Sequence, residues 1–155
     1  MLNIGDTAPD FELSDQAGTP VTLASLVAEG DLILYFYPAD FSPVCTAEAC
    51  AFRDSFEGLA AVGARVVGVS PQSVGSHQRF AKGYSIPFPL LSDPGKKVIR
   101  AYGVDGPFGM GVRRATFLID RNSVVRNRVV SDFFVGSHTD LIKATLRRPN
   151  ARDAP

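Results

Sequence analysis

The sequence has few cysteines, no excess of either charge and no long hydrophobic run. A chain of 155 residues with 45% hydrophobic content can build its own core, so its two cysteines are not needed as a disulfide staple. The 16 basic and 16 acidic residues cancel, and no basic stripe interleaves with aromatic residues, so we expect no binding to nucleic acid or to a membrane surface. No apolar run approaches the ~20 residues that cross a bilayer.

These properties predict one domain, which we place at residues 1–148, followed by a frayed tail at residues 149–155. The amino end lacks a basic segment followed by an apolar stretch, so we expect a cytoplasmic protein. In that compartment, cysteines that folding does not require are more often catalytic, redox-active or metal-binding than structural. Attention therefore falls on Cys45 and Cys50.

The chain has two histidines, His77 and His138. Both are far from the cysteines in sequence, and two thiols with two distant histidines make no recognisable zinc pattern. Neither histidine is placed as the base of a cysteine hydrolase. We therefore expect no metal site and no Cys-His hydrolase.

Apolar periodicity and turn residues predict the order of the structural elements. The predicted elements are a hairpin within residues 8–23, a helical turn at 23–29, a strand at 32–37, a helix from 43 to 62–63, a strand at 65–70, a helix at 73–84, a loop or edge strand at 86–91, a short helix at 96–102, a glycine-rich loop at 103–111, a hairpin of strands 115–119 and 124–130, and a final helix capped by Ser137 or Thr139 and ending at Arg148. This order implies an α/β fold with a mixed central sheet, helices on both faces and an N-terminal β-hairpin.

Both cysteines lie downstream of the predicted strand at residues 32–37, after a short loop. This strand is an apolar run typical of a strand buried on both faces. Pro43 stands where the first turn of a helix tolerates proline. Cys45 therefore lies in a first helical turn, where unsatisfied N–H groups and the positive end of the helix dipole favour the thiolate. The hydroxyl of Ser42 is placed to bond that thiolate or a bound substrate oxygen.

The spacing of the two cysteines limits how they can bond. In an ideal helix the Cα atoms of residues five apart are separated by about 8.7 Å. A disulfide requires a Cα separation below about 7 Å. If Cys45 and Cys50 bond to each other, the start of the helix must unwind, and the reduced and oxidised forms must differ in shape.

The segment Pro38-x-x-x-Ser42-x-x-Cys45, with Cys50 five residues later, resembles the active site of peroxiredoxins. It is most similar to the bacterioferritin comigratory protein or PrxQ subfamily, an atypical two-cysteine type. Further matching stretches are Gly5-Asp6-x-Ala8-Pro9-Asp10-Phe11, Tyr35-Phe36-Tyr37-Pro38, Phe52-Arg53-Asp54, Val67-Gly68-Val69-Ser70, Pro89-Leu90-Leu91-Ser92-Asp93 and Arg114-Ala115-Thr116-Phe117-Leu118-Ile119-Asp120. The resemblance implies a thioredoxin-like fold and a thiol-dependent peroxidase that uses no metal, haem or flavin.

On this resemblance, Cys45 attacks the peroxide and becomes a sulfenic acid, and Cys50 condenses with it to an intramolecular disulfide. Thioredoxin or a similar dithiol protein then reduces the disulfide. A cycle within one chain needs no second subunit, so we expect a monomer. The alternative is a peroxide sensor or redox relay protein with the same cysteine pair. A general dithiol oxidoreductase is disfavoured because Cys-x4-Cys is not the Cys-x-x-Cys of such enzymes.

The resemblance also assigns supporting residues. Arg114, two residues before Thr116, stabilises the thiolate and the charge that develops during attack. Pro38 shields the pocket from water. Glu48, one helical turn after the attacking cysteine, holds an arginine in place. Arg113 competes with Arg114 for the active-site role, and the spacing favours Arg114.

Three residues depart from the subfamily pattern. Phe41 and Val44 replace a polar residue and a glycine, and Ser42 replaces a threonine, keeping the hydroxyl but losing the methyl group that restricts its rotamer. Two hypotheses follow for Phe41 and Val44. With Phe108 and Met110 they could line a pocket mouth suited to organic hydroperoxides, or they could simply pack in the core.

Overall fold

The computed structural model describes residues 1–131 and 135–146 of the chain. In chain order the elements are β1 (Glu12–Ser14), β2 (Pro20–Thr22), α1 (Leu23–Val27), β3 (Asp31–Phe36), α2 (Pro43–Asp54), α3 (Phe56–Ala61), β4 (Ala64–Ser70), α4 (Val74–Tyr84), β5 (Leu90–Ser92), α5 (Lys97–Ala101), β6 (Ala115–Ile119), β7 (Val125–Val130) and α6 (Val135–Leu146). The seven strands form one sheet in the order β2-β1-β5-β4-β3-β6-β7. The predicted mixed sheet with an N-terminal hairpin is confirmed.

The strand that precedes the cysteines, β3, lies inside the sheet. It pairs in parallel with β4 and antiparallel with β6. All of its residues after Asp31 are buried, as its unbroken apolar composition predicts. Alternate side chains point to opposite faces, so Leu34 joins one core cluster and Tyr35 the other. Gly68 in β4 leaves room for the Tyr35 ring, since a Cβ there would lie 2.8 Å from the ring carbon Cζ.

Helices cover both faces of the sheet. Apolar residues of α1 and α5 pack on one face, and apolar residues of α2, α3, α4 and α6 pack on the other. Cys45 belongs to the second cluster, together with Phe52 of α2 and Leu141 of α6. The chain therefore passes from the carboxyl end of β3 into α2, and the first turn of α2 faces the core. Within the described residues, no helix is long and apolar enough to cross a membrane.

The helix predicted from residue 43 to residues 62–63 is interrupted at Ser55, which separates α2 from α3. Ser55 has φ −98° and ψ 0°, outside helical geometry, and its N–H still bonds carbonyls of the last turn of α2. Serine is a weaker helix former than alanine, and the Ser55 side chain makes no cap hydrogen bond here. The apolar spacing on both sides of Ser55 remained helical, which is why the pattern predicted a single helix.

Two other expectations need correction. The strand β5 lies between β1 and β4, not at an edge. Pro87 and Pro89 precede the strand, so every residue of β5 keeps an N–H group that can pair with a neighbouring strand. The final helix does not begin after a cap at Ser137 or Thr139, since both positions lie inside α6. Its predicted end at Arg148 and the tail at residues 149–155 lie outside the described residues.

Candidate active site

The first turn of α2 is built by Ser42 and Pro43. Ser42 is the N-cap residue, and its Oγ accepts a hydrogen bond from the N–H of Cys45 at 3.4 Å while donating to the carbonyl of Ala39 at 3.2 Å. Pro43 occupies the first helical position, where a missing N–H costs nothing. Cys45 thus lies in the first turn, as predicted, and is 1% exposed. In this structure the Ser42 hydroxyl orders the backbone around Cys45.

A guanidinium reaches the sulfur from the residue before β6. Arg114 Nη2 lies 3.1 Å from Cys45 Sγ, and its Nη1 donates to Glu48 Oε1 at 3.1 Å. The side chains of Arg114 and Glu48 are 4% and 1% exposed. The guanidinium thus donates a hydrogen bond to the sulfur and places a positive charge beside it inside the protein. The geometry therefore supports Arg114, which the spacing favoured over Arg113.

Glu48 holds the far side of the guanidinium. Burial raises the pKa of Glu48 to about 7, and the ion pair with Arg114 opposes that rise only in part. For Arg114, burial alone would lower the pKa, but Glu48 and Cys45 outweigh burial and raise it. Arg114 consequently keeps its positive charge while Glu48 exchanges a proton near neutral pH.

His138 also reaches this site, from α6, and the sequence patterns gave it no role. Its Nδ1 lies 2.7 Å from Thr116 Oγ1 and 3.5 Å from Glu48 Oε2, and its Nε2 lies 3.1 Å from the carbonyl of Ser131. A carbonyl only accepts, so Nε2 carries a proton and Nδ1 faces the Thr116 hydroxyl and the Glu48 carboxyl group. The contact between His138 and Glu48 arises because α6 packs on α2. No local sequence pattern predicts it.

Cys50 lies further along α2 and is half-buried. Both cysteines are free thiols, and α2 is helical from Pro43 to Asp54. The Cα separation of about 8.7 Å in an ideal helix exceeds the limit of about 7 Å for a disulfide. In this structure the start of α2 is therefore helical. It must unwind before Cys45 and Cys50 can bond to each other.

The residues proposed for a substrate pocket lie in different places. Pro38 lines an open cavity of about 460 Å³ with residues 106–107 and 110–113 of the glycine-rich loop, including Met110. Phe41 is 51% exposed and packs its ring against Phe80 of α4, with centroids 5.2 Å apart. Val44, in the first turn of α2, is partly buried, and Phe108 is fully exposed. Of these apolar residues, only Met110 lines the cavity beside Pro38.

Comparison with known proteins identifies the family. The profile described as the AhpC/TSA family matches residues 4–128. The chain belongs to this family. It is 46% identical over 137 residues to the chloroplastic peroxiredoxin Q of Sedum lineare, a match that spans 88% of this chain and 73% of that protein.

Two solved structures of peroxiredoxins are similar over most of the chain. The peroxidoxin BcpB of Mycobacterium tuberculosis superposes with a TM-score of 0.89 at 43% identity, covering 95% of this chain and 97% of that one. The bacterioferritin comigratory protein of Xanthomonas campestris superposes with a TM-score of 0.80 at 33% identity, covering 88% and 90%. The predicted peroxiredoxin family, its Q subfamily and its thioredoxin-like fold are confirmed.

This peroxiredoxin gathers most of the residues that the resemblance named. Ser42, Cys45 and Glu48 lie on or beside the first two turns of α2, and Arg114 approaches them from the start of β6. Pro38 lies two residues after the end of β3. Strand pairing explains the convergence, since β3 and β6 are neighbours in the sheet and place the two segments at the same edge.

Proposed function

We propose that Cys45 is the peroxide-reactive thiol of this peroxiredoxin and that Cys50 resolves it. The observation that carries the proposal is the 3.1 Å contact between Arg114 Nη2 and Cys45 Sγ at a capped helix start. The thiolate attacks one peroxide oxygen and the O–O bond breaks. The other oxygen takes up a proton, equivalent to the one that the thiol released, and leaves as water or an alcohol. Cys45 is thereby oxidised to a sulfenic acid.

The second step forms the disulfide. The Cys50 sulfur attacks the Cys45 sulfenic sulfur, the S–S bond forms, and the sulfenic oxygen leaves as water. Because both cysteines lie on α2, this step follows unwinding of the first turns of that helix. A dithiol protein of the thioredoxin kind then reduces the disulfide by thiol exchange and restores both thiols.

Three further residues support the first step. Glu48 fixes the guanidinium of Arg114 by an ion pair inside the protein, so that the guanidinium is aimed at the sulfur before peroxide arrives. Ser42 caps the helix start and orders the backbone around Cys45. Pro38 lies between the strand and this turn and borders the cavity through which peroxide reaches the site in our proposal.

Both cysteines of the proposed cycle lie in one helix, so catalysis needs no partner subunit, and we propose a monomer. The two free thiols and the need for a dithiol reductant fit a reducing compartment such as the cytoplasm. Size-exclusion chromatography with light scattering is expected to give the mass of one chain in both redox states.

The cavity beside Pro38 has room and an apolar wall for an organic hydroperoxide. The Xanthomonas campestris relative is described as having alkyl peroxide reduction activity. We therefore propose that this protein reduces both hydrogen peroxide and organic hydroperoxides, with the organic group against Met110. Phe41 packs on α4 and does not line the cavity, so it is assigned no substrate contact.

A thioredoxin-coupled assay tests the function and the substrate class together. Peroxide-dependent oxidation of reduced thioredoxin is expected for hydrogen peroxide and for cumene hydroperoxide. Met110→Gln is expected to lower kcat/KM for cumene hydroperoxide about tenfold, because a polar group replaces the apolar wall. Hydrogen peroxide offers no apolar group, so its kcat/KM should stay the same.

Phe108→Gln is the matched control, since Phe108 is fully exposed and lies outside the cavity wall. A clear wild-type preference for hydrogen peroxide, or equal loss in both variants, would contradict the apolar pocket. Stoichiometric oxidation of the protein without turnover would contradict the peroxidase and favour a peroxide sensor.

A further inference from the structure

A second buried polar cluster adjoins the active-site loop, and the proposed chemistry does not use it. Its centre is Asp40, two residues before Ser42. Asp40 Oδ1 accepts a hydrogen bond from the Tyr37 hydroxyl at 2.7 Å, and Oδ2 accepts one from Ser76 Oγ at 2.7 Å. The same Oδ2 lies 2.7 Å from His77 Nδ1, and the side chains of Asp40 and His77 are both fully buried.

The contacts of His77 indicate the direction of its hydrogen bonds. Nε2 lies 3.1 Å from the carbonyl of Leu91, which only accepts, so Nε2 carries a proton. Burial alone would raise the pKa of Asp40, but hydrogen bonds from His77 and Ser76 outweigh burial and lower it. An ionised carboxylate 2.7 Å from Nδ1 requires a proton there too. Asp40 and His77 are therefore joined by a short buried hydrogen bond, which Nδ1 donates to Oδ2.

The cluster has the connectivity of a Ser-His-Asp triad but cannot act as one. Ser70 Oγ lies 3.4 Å from His77 Nε2, yet Ser70 and His77 are both 0% exposed, so no substrate reaches the hydroxyl. The Nε2 proton is also directed to the carbonyl of Leu91, and Ser70 Oγ accepts the N–H of Gln72. The Asp40–His77 contact is an anchor between chain segments.

The Asp40–His77 contact anchors the loop that leads into α2. The residue after Asp40, Phe41, has a φ of 65°, a conformation that a bulky side chain adopts only where its surroundings enforce it. Its ring packs against Phe80 and Tyr84 at 5.2 Å and 6.3 Å. The loop contacts on α4 come from Ser76, His77, Phe80 and Tyr84, which recur at helical spacing. Two successive loop residues are thus fixed to one helix.

We propose that Asp40 and His77 are positioning residues that hold this loop in its peroxide-reactive form. They thereby set how much of the Cys45 sulfenic acid becomes disulfide and how much becomes sulfinic acid. Condensation with the Cys50 thiol releases water and requires the helix start to unwind. Reaction with a second peroxide transfers one oxygen to the sulfur, giving a sulfinic acid and releasing water or an alcohol, and requires the wound site. A stronger Asp40–His77 contact keeps the start of α2 helical for longer and so raises the yield of sulfinic acid. The inference rests on the proposed roles of Cys45 and Cys50.

The variant Asp40→Asn tests the anchor, because it keeps the side-chain volume and removes the charge. Disulfide formation after a peroxide pulse is expected to be about tenfold faster, and the sulfinic acid yield at a fixed peroxide concentration correspondingly lower. Tyr37→Phe removes one hydrogen bond to the same carboxylate and should change both quantities in the same direction by a smaller factor. Rapid quenching, thiol alkylation and mass spectrometry of the peptides measure both products.

Asp93→Asn is the matched control, since Asp93 is also buried but accepts the N–H of Ile99, in α5. It should leave the ratio of sulfinic acid to disulfide unchanged, even where urea denaturation shows an equal loss of stability. A ratio of sulfinic acid to disulfide that stays at the wild-type value in both Asp40→Asn and Tyr37→Phe overturns the inference. If Asp40→Asn does not fold, the result for Tyr37→Phe decides. Failure of peroxide to oxidise wild-type Cys45 at all overturns the proposed function instead, and this inference with it.

Discussion

Replacing Cys45 by serine is expected to abolish peroxide reduction, lowering kcat/KM by at least ~10⁴-fold. The serine hydroxyl stays neutral where the thiol ionises beside Arg114, and a neutral hydroxyl does not attack the O–O bond. Serine is close in size to cysteine, so the fold around the 1% exposed position should persist. The thioredoxin-coupled assay measures the loss, and circular dichroism checks the fold.

Cys50→Ser is the matched control, because it removes the other thiol of the same helix. It should react with a first equivalent of peroxide at the wild-type rate but oxidise no thioredoxin, since no partner thiol remains to form the disulfide that thioredoxin reduces. Sustained turnover in Cys50→Ser would contradict its resolving role. Residual turnover in Cys45→Ser would contradict the attacking role of Cys45.

Arg114→Gln is expected to slow the first oxidation of Cys45 by ~10²- to 10³-fold, the usual cost of removing one preorganised charge-stabilising donor. The variant loses the 3.1 Å contact with Sγ and leaves Glu48, 1% exposed, without its guanidinium partner. Stopped-flow measurement of the second-order rate constant with hydrogen peroxide, in the Cys50→Ser background, isolates this step from disulfide formation.

Two controls separate the chemistry from mere destabilisation. Arg126→Gln removes the charge of an exposed arginine that pairs with Asp120 and lies outside the cavity, so it should change the rate less than threefold. The double variant Arg114→Gln with Glu48→Gln removes both buried charges, so it should recover stability relative to Arg114→Gln without recovering the rate. A larger loss in Arg126→Gln, or rate recovery in the double variant, would refute the role of Arg114.

The local part of the site could be predicted from the sequence because its determinants are local. Pro43 and Ser42 define a helix start, so Cys45 falls in its first turn, and the structure agrees. Arg114 lies 69 positions from Cys45, and its approach could be anticipated only through the family resemblance. Composition and spacing alone left Arg113 as a rival.

The two histidines show what local patterns could not supply. Both were set aside because neither lies near a cysteine in sequence, yet His138 contacts Glu48 and His77 pairs with Asp40. Those contacts depend on the packing of α6 on α2 and on the placement of α4 beside the loop, which no local pattern encodes. A fully buried histidine becomes informative only when its two ring nitrogens can be assigned partners.

The central claim is that one chain completes the oxidative half of the cycle with Cys45 and Cys50. Peptide mapping of the wild-type protein after one equivalent of hydrogen peroxide, at a dilution that suppresses contacts between chains, tests it most directly. We expect a single disulfide linking Cys45 to Cys50 within one chain, formed in nearly all molecules. A disulfide between two chains, or a Cys45 sulfenic acid that persists beside a free Cys50, would contradict the account.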